Sequence, residues 1–349
     1  MRRIAAAGLF LIYVTFIALA TGCEAPYVKY TDTFFGTFDT VVVFSGYARQ
    51  KGVFDRAANR ARVRLTELHR IYDAFNEYEG LSNLATVNRE AGLHPVKAPA
   101  ELIELIAYCK RMQKLHPGTA NIALGGALAL WHDYRERGIK DPANAQLPPM
   151  AELREAAAHA DLDSVILDAE AGTIFFADPK LKLDVGSVAK GYAVELLALE
   201  MAKSDMPSFL INAGGNIRAG LPPMDRRDGW RVGVENPDLS NPNSLAIVSL
   251  KEASLVTSGD YHRYYVVEGV RYHHIIDPQT LFPPTHLRAV TILTPSSADA
   301  DFLTTVLFIL PYERGRALID SLPETEALWV LAEGEVEMSG GMKRAIIQD

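Results

Sequence analysis

The sequence predicts an α+β fold: one large domain with a mainly antiparallel sheet and packed helices. Helical and strand patterns alternate irregularly rather than as a βαβ series, and from Ser208 to Leu293 short strands and turns dominate. No repeat, low-complexity tract or linker divides the chain, and its 349 residues are 48% hydrophobic, enough for a sizeable core.

The N-terminus reads as targeting sequence. Arg2 and Arg3 precede an apolar run from Ile4 to Ala20, and Ala20-Thr-Gly-Cys23 has the form of a small-residue cleavage site ending in cysteine. It resembles a bacterial lipoprotein signal, although Ala20 stands where a large aliphatic residue is usual. Residues 1–22 are therefore expected to be a signal peptide, Cys23 the lipidated first residue, 23–30 a tether and 31–349 the domain. The expected location is the bacterial cell envelope, on the outer (periplasmic or extracytoplasmic) face of the cytoplasmic membrane. The net charge of −8 argues against a general nucleic-acid binder and leaves room for a local basic pocket.

Along the domain, Thr37 to Phe44 reads as a strand. A long amphipathic helix follows from about Val53 to Phe75, with Ala61, Leu65, Leu68, Tyr72 and Phe75 on one face. Pro99 to Leu115 is helical, with Cys109 on its apolar face, and Thr119 to Tyr134 reads as buried helix. Val165–Asp168 and Thr173–Phe176 form a hairpin about Ala171-Gly172. A strand from Lys180 to Asp184 leads into a loop and another helix. The C-terminal helices Asp299–Leu310 and Pro311–Ser321, with strands near Leu328 and Val336, close the fold.

Two segments carry chemistry. In Leu183-Asp-Val-Gly-Ser-Val-Ala-Lys190-Gly-Tyr192 a carboxylate, a glycine turn and a lysine stand at a helix start, where free N–H groups and the helix dipole favour an anion. Near the C-terminus Asp301 and Thr305 are four apart at another helix start, so a carboxylate and a hydroxyl share one face. Both are hard oxygen ligands, suited to Mg²⁺ completed by water and substrate phosphate. Asp301 reads as a surface-facing carboxylate of small structural weight.

Other segments are less specific. Asn212-Ala-Gly-Gly-Asn216 allows close backbone approach or a sharp turn. Arg263, entering an aromatic strand, is placed to face phosphate or simply solvent. His274, three residues before Asp277-Pro278, suits a general base, a ligand or a structural role.

LDVGSVAKGYAVE, NAGGNIRAG, TSGDYHRY, HHIIDPQT and ADFLTTVLFIL stand in this order, with SNLATVN and GTANIALGGALALWHDY before them. Over roughly Thr33 to the C-terminus the chain resembles the FAD:protein FMN transferases, the ApbE family once labelled thiamine-biosynthesis lipoproteins. The resemblance implies a Mg²⁺-dependent enzyme that cuts FAD and attaches FMN through a phosphoester to a threonine or serine of a client protein, releasing AMP.

The resemblance also carries roles. Asp184 and Lys190 match positions that contact FAD, and Ser187 one whose backbone carbonyl binds the metal. Asp301 and Thr305 match the metal-binding pair. Thr119, Ala120, Asn121 and Ile275 match flavin-contacting positions, Phe35 and Tyr78 positions beside the flavin, and His274 the histidine suggested as base for the attacking hydroxyl. Asp277 orients His274 or fixes the turn. Asn83 and Asn121 replace family carboxylates near the flavin, Phe35 a frequent methionine and Leu281 a glycine. An aromatic residue at the Tyr78 position is associated in the family with transfer. Two alternatives share the site: a metal-dependent FAD pyrophosphatase, with water as acceptor, and a flavin-binding lipoprotein without chemistry. The chain shows no acceptor threonine motif of the family type, so the client is expected on another chain, such as a flavin-carrying subunit of a membrane electron-transfer complex.

Overall fold

The computed structural model describes residues 25–347; the expected signal segment and Cys23 lie outside them. Strands β1 (Val28–Thr37) and β2 (Thr40–Ala48) form a hairpin, followed by helices α1 (Lys51–Tyr72) and α2 (Leu84–Arg89). Next come β3 (Val96–Lys97), α3 (Ala100–Leu115), α4 (Gly125–Lys140), α5 (Met150–Ala157), β4 (Val165–Asp168) and β5 (Thr173–Phe176). Helix α6 (Ala189–Ala202) leads to β6 (Phe209–Ala213), β7 (Asn216–Ala219), β8 (Trp230–Val234), β9 (Ala246–Leu250) and β10 (Ser254–Gly259). The chain continues through β11 (Tyr264–Val267), β12 (Val270–His273), β13 (Leu287–Thr294), α7 (Ser297–Ile309) and α8 (Tyr312–Ser321). It closes with β14 (Glu326–Leu331), β15 (Val336–Met338) and α9 (Gly340–Ala345).

The main sheet has eight strands in the order β1-β2-β6-β7-β10-β13-β14-β15, every neighbouring pair antiparallel. Side chains alternate across it with the period of two that a pleated strand imposes. On β14, Leu328 and Val330 join Trp230 and Val248 of the β8–β9 hairpin on one face, while Trp329 joins Leu307 and Phe308 of α7 on the other. On β7, Ile217 faces the hairpin and its neighbour Asn216 the helices. Helices α1, α6 and α7 cover that second face through Leu65, Leu68, Val194, Leu197, Phe302 and Val306, with buried Cys109 of α3 in the same core. A separate aromatic cluster joins α4 to the β11–β12 hairpin.

Several boundaries differ from the sequence reading. β1 begins at Val28, inside the stretch expected as tether, because Val28 to Phe34 pair in register with Ala48 to Val42. Helix α1 stops at Tyr72, where Asp73 takes the backbone N–H groups of Phe75 (2.8 Å) and Asn76 (3.0 Å) in place of another helical turn. Phe75 is therefore exposed. Residues 119–124 form a loop, and α4 begins only at Gly125 and runs on to Lys140. The expected strand at Lys180–Asp184 is an extended segment with one bridge, Leu124 to Lys182.

Candidate active site

A cavity of 1280 Å³ opens between α4, the start of α6, the β6–β7 turn, the loop before β11 and α7. Its volume exceeds the ~300–1,000 Å³ of ordinary small-molecule sites. The LDVGSVAKGY segment forms one wall. Its backbone is clamped from a distance: Asn88 donates through Nδ2 to the Leu183 carbonyl (2.9 Å) and accepts the Leu183 N–H through Oδ1 (2.8 Å). Asp184 accepts the Gly186 N–H (2.8 Å), which tightens the turn into α6 and leaves Asp184, Gly186, Ser187 and Lys190 on the wall. Burial raises the Asp184 carboxyl above its usual range and lowers the Lys190 ammonium. Lys190 Nζ reaches the Gly214 carbonyl at 3.4 Å, so the glycine turn of NAGGN adjoins the lysine.

Helix α7 brings the oxygen pair to the same cavity. Ser296 accepts the Asp299 N–H (3.2 Å) at its start, and Asp301 and Thr305 follow one turn apart on the cavity wall. Asp301 is only 7% exposed, which corrects the expectation of a surface-facing carboxylate. One oxygen accepts the Gly191 N–H at 2.7 Å and the other the Asn216 Nδ2–H at 3.2 Å, while burial raises its pKa. Glycine at 191 is required: a Cβ there would collide with Asp301 Cβ and the Ser297 carbonyl, where α6 and α7 meet.

His274 and Ile275 line the cavity just beyond β12. His274 Nδ1 is buried without a hydrogen-bond partner. Burial pushes the imidazole pKa down to about 3, aided by the positive charges of Arg263, His273, Arg135 and Lys190. The side chain is thus neutral, and its basicity is held down by burial and by the neighbouring cations. Asp277 accepts the Gln279 N–H (2.8 Å) and the Thr280 hydroxyl (3.3 Å); it fixes the turn, and no hydrogen bond joins it to His274.

Other expected residues divide. Ala120 and Asn121 line the cavity; Asn121 accepts the Ala123 N–H (2.9 Å) and donates to the Ala160 carbonyl (2.9 Å). Thr119 is buried behind them, its hydroxyl on the His116 carbonyl (2.6 Å). Phe35 is 73% exposed on the β1–β2 hairpin and, like Tyr78, is absent from the cavity wall. Tyr78 donates to Asp73 Oδ2 (2.8 Å), and Asp73 is the residue that reaches the wall. Asn83 is fully buried and does not approach the wall: it caps α2 through the Thr86 N–H (3.1 Å) and donates to the carbonyls of Arg70 and Asn76. Replacing a carboxylate there alters a structural cap rather than the ligand contacts. Leu281 has φ 61°, the left-handed region that favours glycine, yet its side chain is buried beside Trp131. Sequence reasoning missed Asn216 as a partner of Asp301, Asn88 as a clamp and the α4 stripe of His132 and Arg135; only the helical spacing of the stripe was available as a signal.

Among the described residues no group of three or more His, Cys, Asp or Glu side chains gathers as a metal cage. The oxygen donors on the wall include the Asp301 carboxylate, the Thr305 hydroxyl and the Ser187 segment with Asp184 close in sequence, and the Asn216 Oδ1 is a buried acceptor lacking a partner. This is a sparse, all-oxygen set, which fits a hard cation completed by phosphate rather than a thiolate or imidazole metal.

The sequence pattern of the ApbE family matches residues 35–329. The chain belongs to the ApbE family. It is similar to the FAD:protein FMN transferase of Treponema pallidum (strain Nichols), 34% identical over 274 residues, or 75% of this chain and 74% of that protein. A FAD:protein FMN transferase of Vibrio cholerae is 27% identical over 323 residues, covering 89% and 90% of the two chains. Among solved structures the ApbE protein of Thermotoga maritima superposes with a TM-score of 0.79 at 26% identity, covering 92% of this chain and 100% of that one. The α+β architecture with its large antiparallel sheet is thus the ApbE fold.

Proposed function

We propose that this ApbE-family chain transfers the FMN half of FAD to a threonine or serine hydroxyl of a client protein and releases AMP. The observation that carries this reading is a single cavity that collects Lys190, the Asp301 and Thr305 oxygens and a neutral His274. The named activity of its relatives supports the same reading.

In the proposed reaction the client oxygen attacks the FMN-side phosphorus. A new P–O bond forms while the bond from that phosphorus to the bridging oxygen breaks, and AMP departs with the bridging oxygen. His274 accepts the hydroxyl proton: it is neutral beforehand, and the diphosphate of the substrate would offset the cations that hold its basicity down. Lys190 balances charge on the diphosphate oxygens, and the start of α6 presents its dipole and free N–H groups to the same anion. Asp301, Thr305 and the Ser187 carbonyl would hold Mg²⁺, which when bound supplies Lewis-acid neutralisation of the diphosphate. Asn216 and the Gly191 N–H hold Asp301 in one orientation. Phe35 and Tyr78 would approach the flavin only after movement of the hairpin or of the Tyr78 segment, whereas Ala120, Asn121, Asp184 and Ile275 already stand on the wall.

The client is proposed to be a flavin-carrying subunit of a membrane electron-transfer complex, met on the outer face of the cytoplasmic membrane by an enzyme anchored through lipidated Cys23. Among the described residues no helix is long and apolar enough to cross a membrane, so the proposed anchor rests on the N-terminal sequence.

Full-length protein in detergent, incubated with FAD and a client domain bearing the acceptor threonine, with and without Mg²⁺, tests the reading. Mass spectrometry should find one FMN added to the client, and chromatography an equal amount of AMP, only with metal. Free FMN and AMP with an unmodified client would replace the transferase by a pyrophosphatase; intact bound FAD would leave a flavin carrier.

A further inference from the structure

Arg263, noted in the sequence beside an aromatic strand, meets a second arginine in the structure. Helix α4 turns Leu128, His132, Arg135 and Ile139 toward the cavity, a single face at i, i+4 and i+7 spacing. Trp131 of the same helix packs on Tyr265 of β11 (ring centroids 6.4 Å apart) and Tyr272 of β12 (6.1 Å). It also donates from Nε1 to the Leu281 carbonyl (2.9 Å). This aromatic cluster sets the helix bearing Arg135 against the hairpin whose entrance bears Arg263.

No carboxylate among the described residues is in direct contact with the cations of this wall, although Asp184, Asp301 and Glu136 line the same cavity and act on them from further away. Arg135 donates to His132 Nδ1 at 2.9 Å, and Lys190 to a backbone carbonyl. Among the described residues, neither arginine nor Lys190 has a carboxylate within 4 Å, whereas Arg64, Arg218 and Arg288 all do. In a chain of net charge −8 carboxylates are plentiful; Arg263 is exposed, whereas Arg135 and Lys190 are partly withdrawn from water, where a cation without a close counter-charge is unfavourable. Arg135, Arg263, Lys190 and His274 all line the same cavity, and the three cations act together to lower the His274 pKa.

We propose that Arg135 and Arg263 form a second phosphate-binding element, which with Lys190 takes the diphosphate of the nucleotide substrate from the α4 wall. The planar guanidinium fork matches phosphate oxygens in pairs, which a lysine alone does not. The inference rests on the proposed function for the identity of the substrate, but the pair's affinity for phosphate can be read without turnover.

The test is calorimetric titration of the full-length protein in detergent, without Mg²⁺, with FAD, riboflavin and inorganic pyrophosphate. Arg263→Gln and Arg135→Gln should each weaken FAD binding about tenfold or more, since each removes charge-assisted hydrogen bonds. Riboflavin, which lacks phosphate, should bind the variants as it binds the wild type, and the double variant should lose pyrophosphate. Because Arg135 is half-buried, Arg135→Lys separates charge from packing; it should bind pyrophosphate more tightly than Arg135→Gln but less tightly than the wild type, since it keeps the charge and loses the fork. Riboflavin affinity falling in step with FAD affinity, or pyrophosphate binding that survives the double substitution, would overturn the assignment. Wild type that binds pyrophosphate through these arginines but not FAD would sink the substrate reading and leave the phosphate element standing. Wild type that binds neither would overturn both.

Discussion

The two walls of the cavity are built on opposite plans. At the α6–α7 junction the carboxylate is held from two sides: Asp301 by the Gly191 N–H and Asn216, with the Ser297 N–H taken by Glu195, which also pairs with Arg218. Thr304 bonds back to the Asp301 carbonyl (2.7 Å) and receives Ser258 (2.9 Å). On the α4 wall it is the helix and hairpin that are held, by Trp131, Tyr265 and Tyr272, while Arg135 and Arg263 have no carboxylate in direct contact among the described residues. The first wall fixes oxygen geometry before any ligand arrives, as a small cation requires. The second leaves its charge to be completed by the substrate.

The largest effect should come from the fixed wall. Asp301→Ala is expected to lower metal-dependent FMN transfer about 10³-fold, the scale seen when a charge-stabilising group is removed. Stability should fall by only about 1–3 kcal/mol, for the Gly191 N–H left without its acceptor. Turnover against Mg²⁺ concentration and urea unfolding measure the two. If activity fell no further than the folded fraction, the junction would be scaffold alone.

Next in size is His274, which borders both walls. His274→Ala should reduce kcat about 10²-fold, within the range for a general base, with the KM for FAD nearly unchanged. Since the folded pKa is near 3, the kcat/KM profile should show no loss attributable to His274 as pH falls from 8 to 5. The linkage has a definite sign. The unfolded histidine, with its pKa of about 6.5, takes up a proton before the folded one, so stability declines as pH falls from about 6.5 toward 3 and is level above. Urea midpoints across this window should fall less steeply in His274→Ala. Arg263→Gln, which removes one of the opposing charges, should move the histidine titration upward by NMR; an unmoved titration would separate the two walls electrostatically.

The fixed wall was also the more legible one. Asp184 and Lys190 share one loop-to-helix start, and Asp301 and Thr305 one helical turn, so their spacing alone brings them together. The sheet could be read for the same reason, because alternation along β14 and β7 encodes its two faces. The α4 wall depends on a helix that the Thr119 to Tyr134 reading started six residues too early, at Thr119 rather than Gly125, and on a hairpin more than a hundred residues downstream. Asn88 grips Leu183 across 95 residues of sequence, and Asn216 reaches Asp301 across 85; no local pattern announces such pairs. Asn83 misled for a related reason, since a polar residue in a functional motif can serve the backbone instead of the ligand.

Gly191→Ala would test how closely α6 and α7 must approach. The added methyl meets Asp301 Cβ and the Ser297 carbonyl, neither of which is a flexible tip, so the helices must separate. A loss of about 1–3 kcal/mol is expected from overpacking of this kind. Because the Gly191 N–H holds the Asp301 carboxylate, metal affinity measured by titration should fall as well. Lost stability with metal affinity intact would mean that the carboxylate does not need this anchor.

The smallest effect should lie on the α4 side, at Leu281. Its φ of 61° costs a leucine about 1–2 kcal/mol that glycine would not incur. Its buried side chain in the Trp131 cluster is worth about 1.5–3 kcal/mol. Leu281→Gly therefore relieves strain and empties part of an apolar cluster, and the two nearly offset, with a net loss of about 1 kcal/mol. The Trp131 Nε1 bond to residue 281 goes to the backbone carbonyl and survives the change. Urea unfolding followed by tryptophan fluorescence should find a small drop in midpoint, with FAD affinity unaltered. A gain in stability would show strain outweighing packing. A fall in FAD affinity without loss of stability would show that the aromatic cluster sets the positions of Arg135 and Arg263 more finely than its packing energy implies.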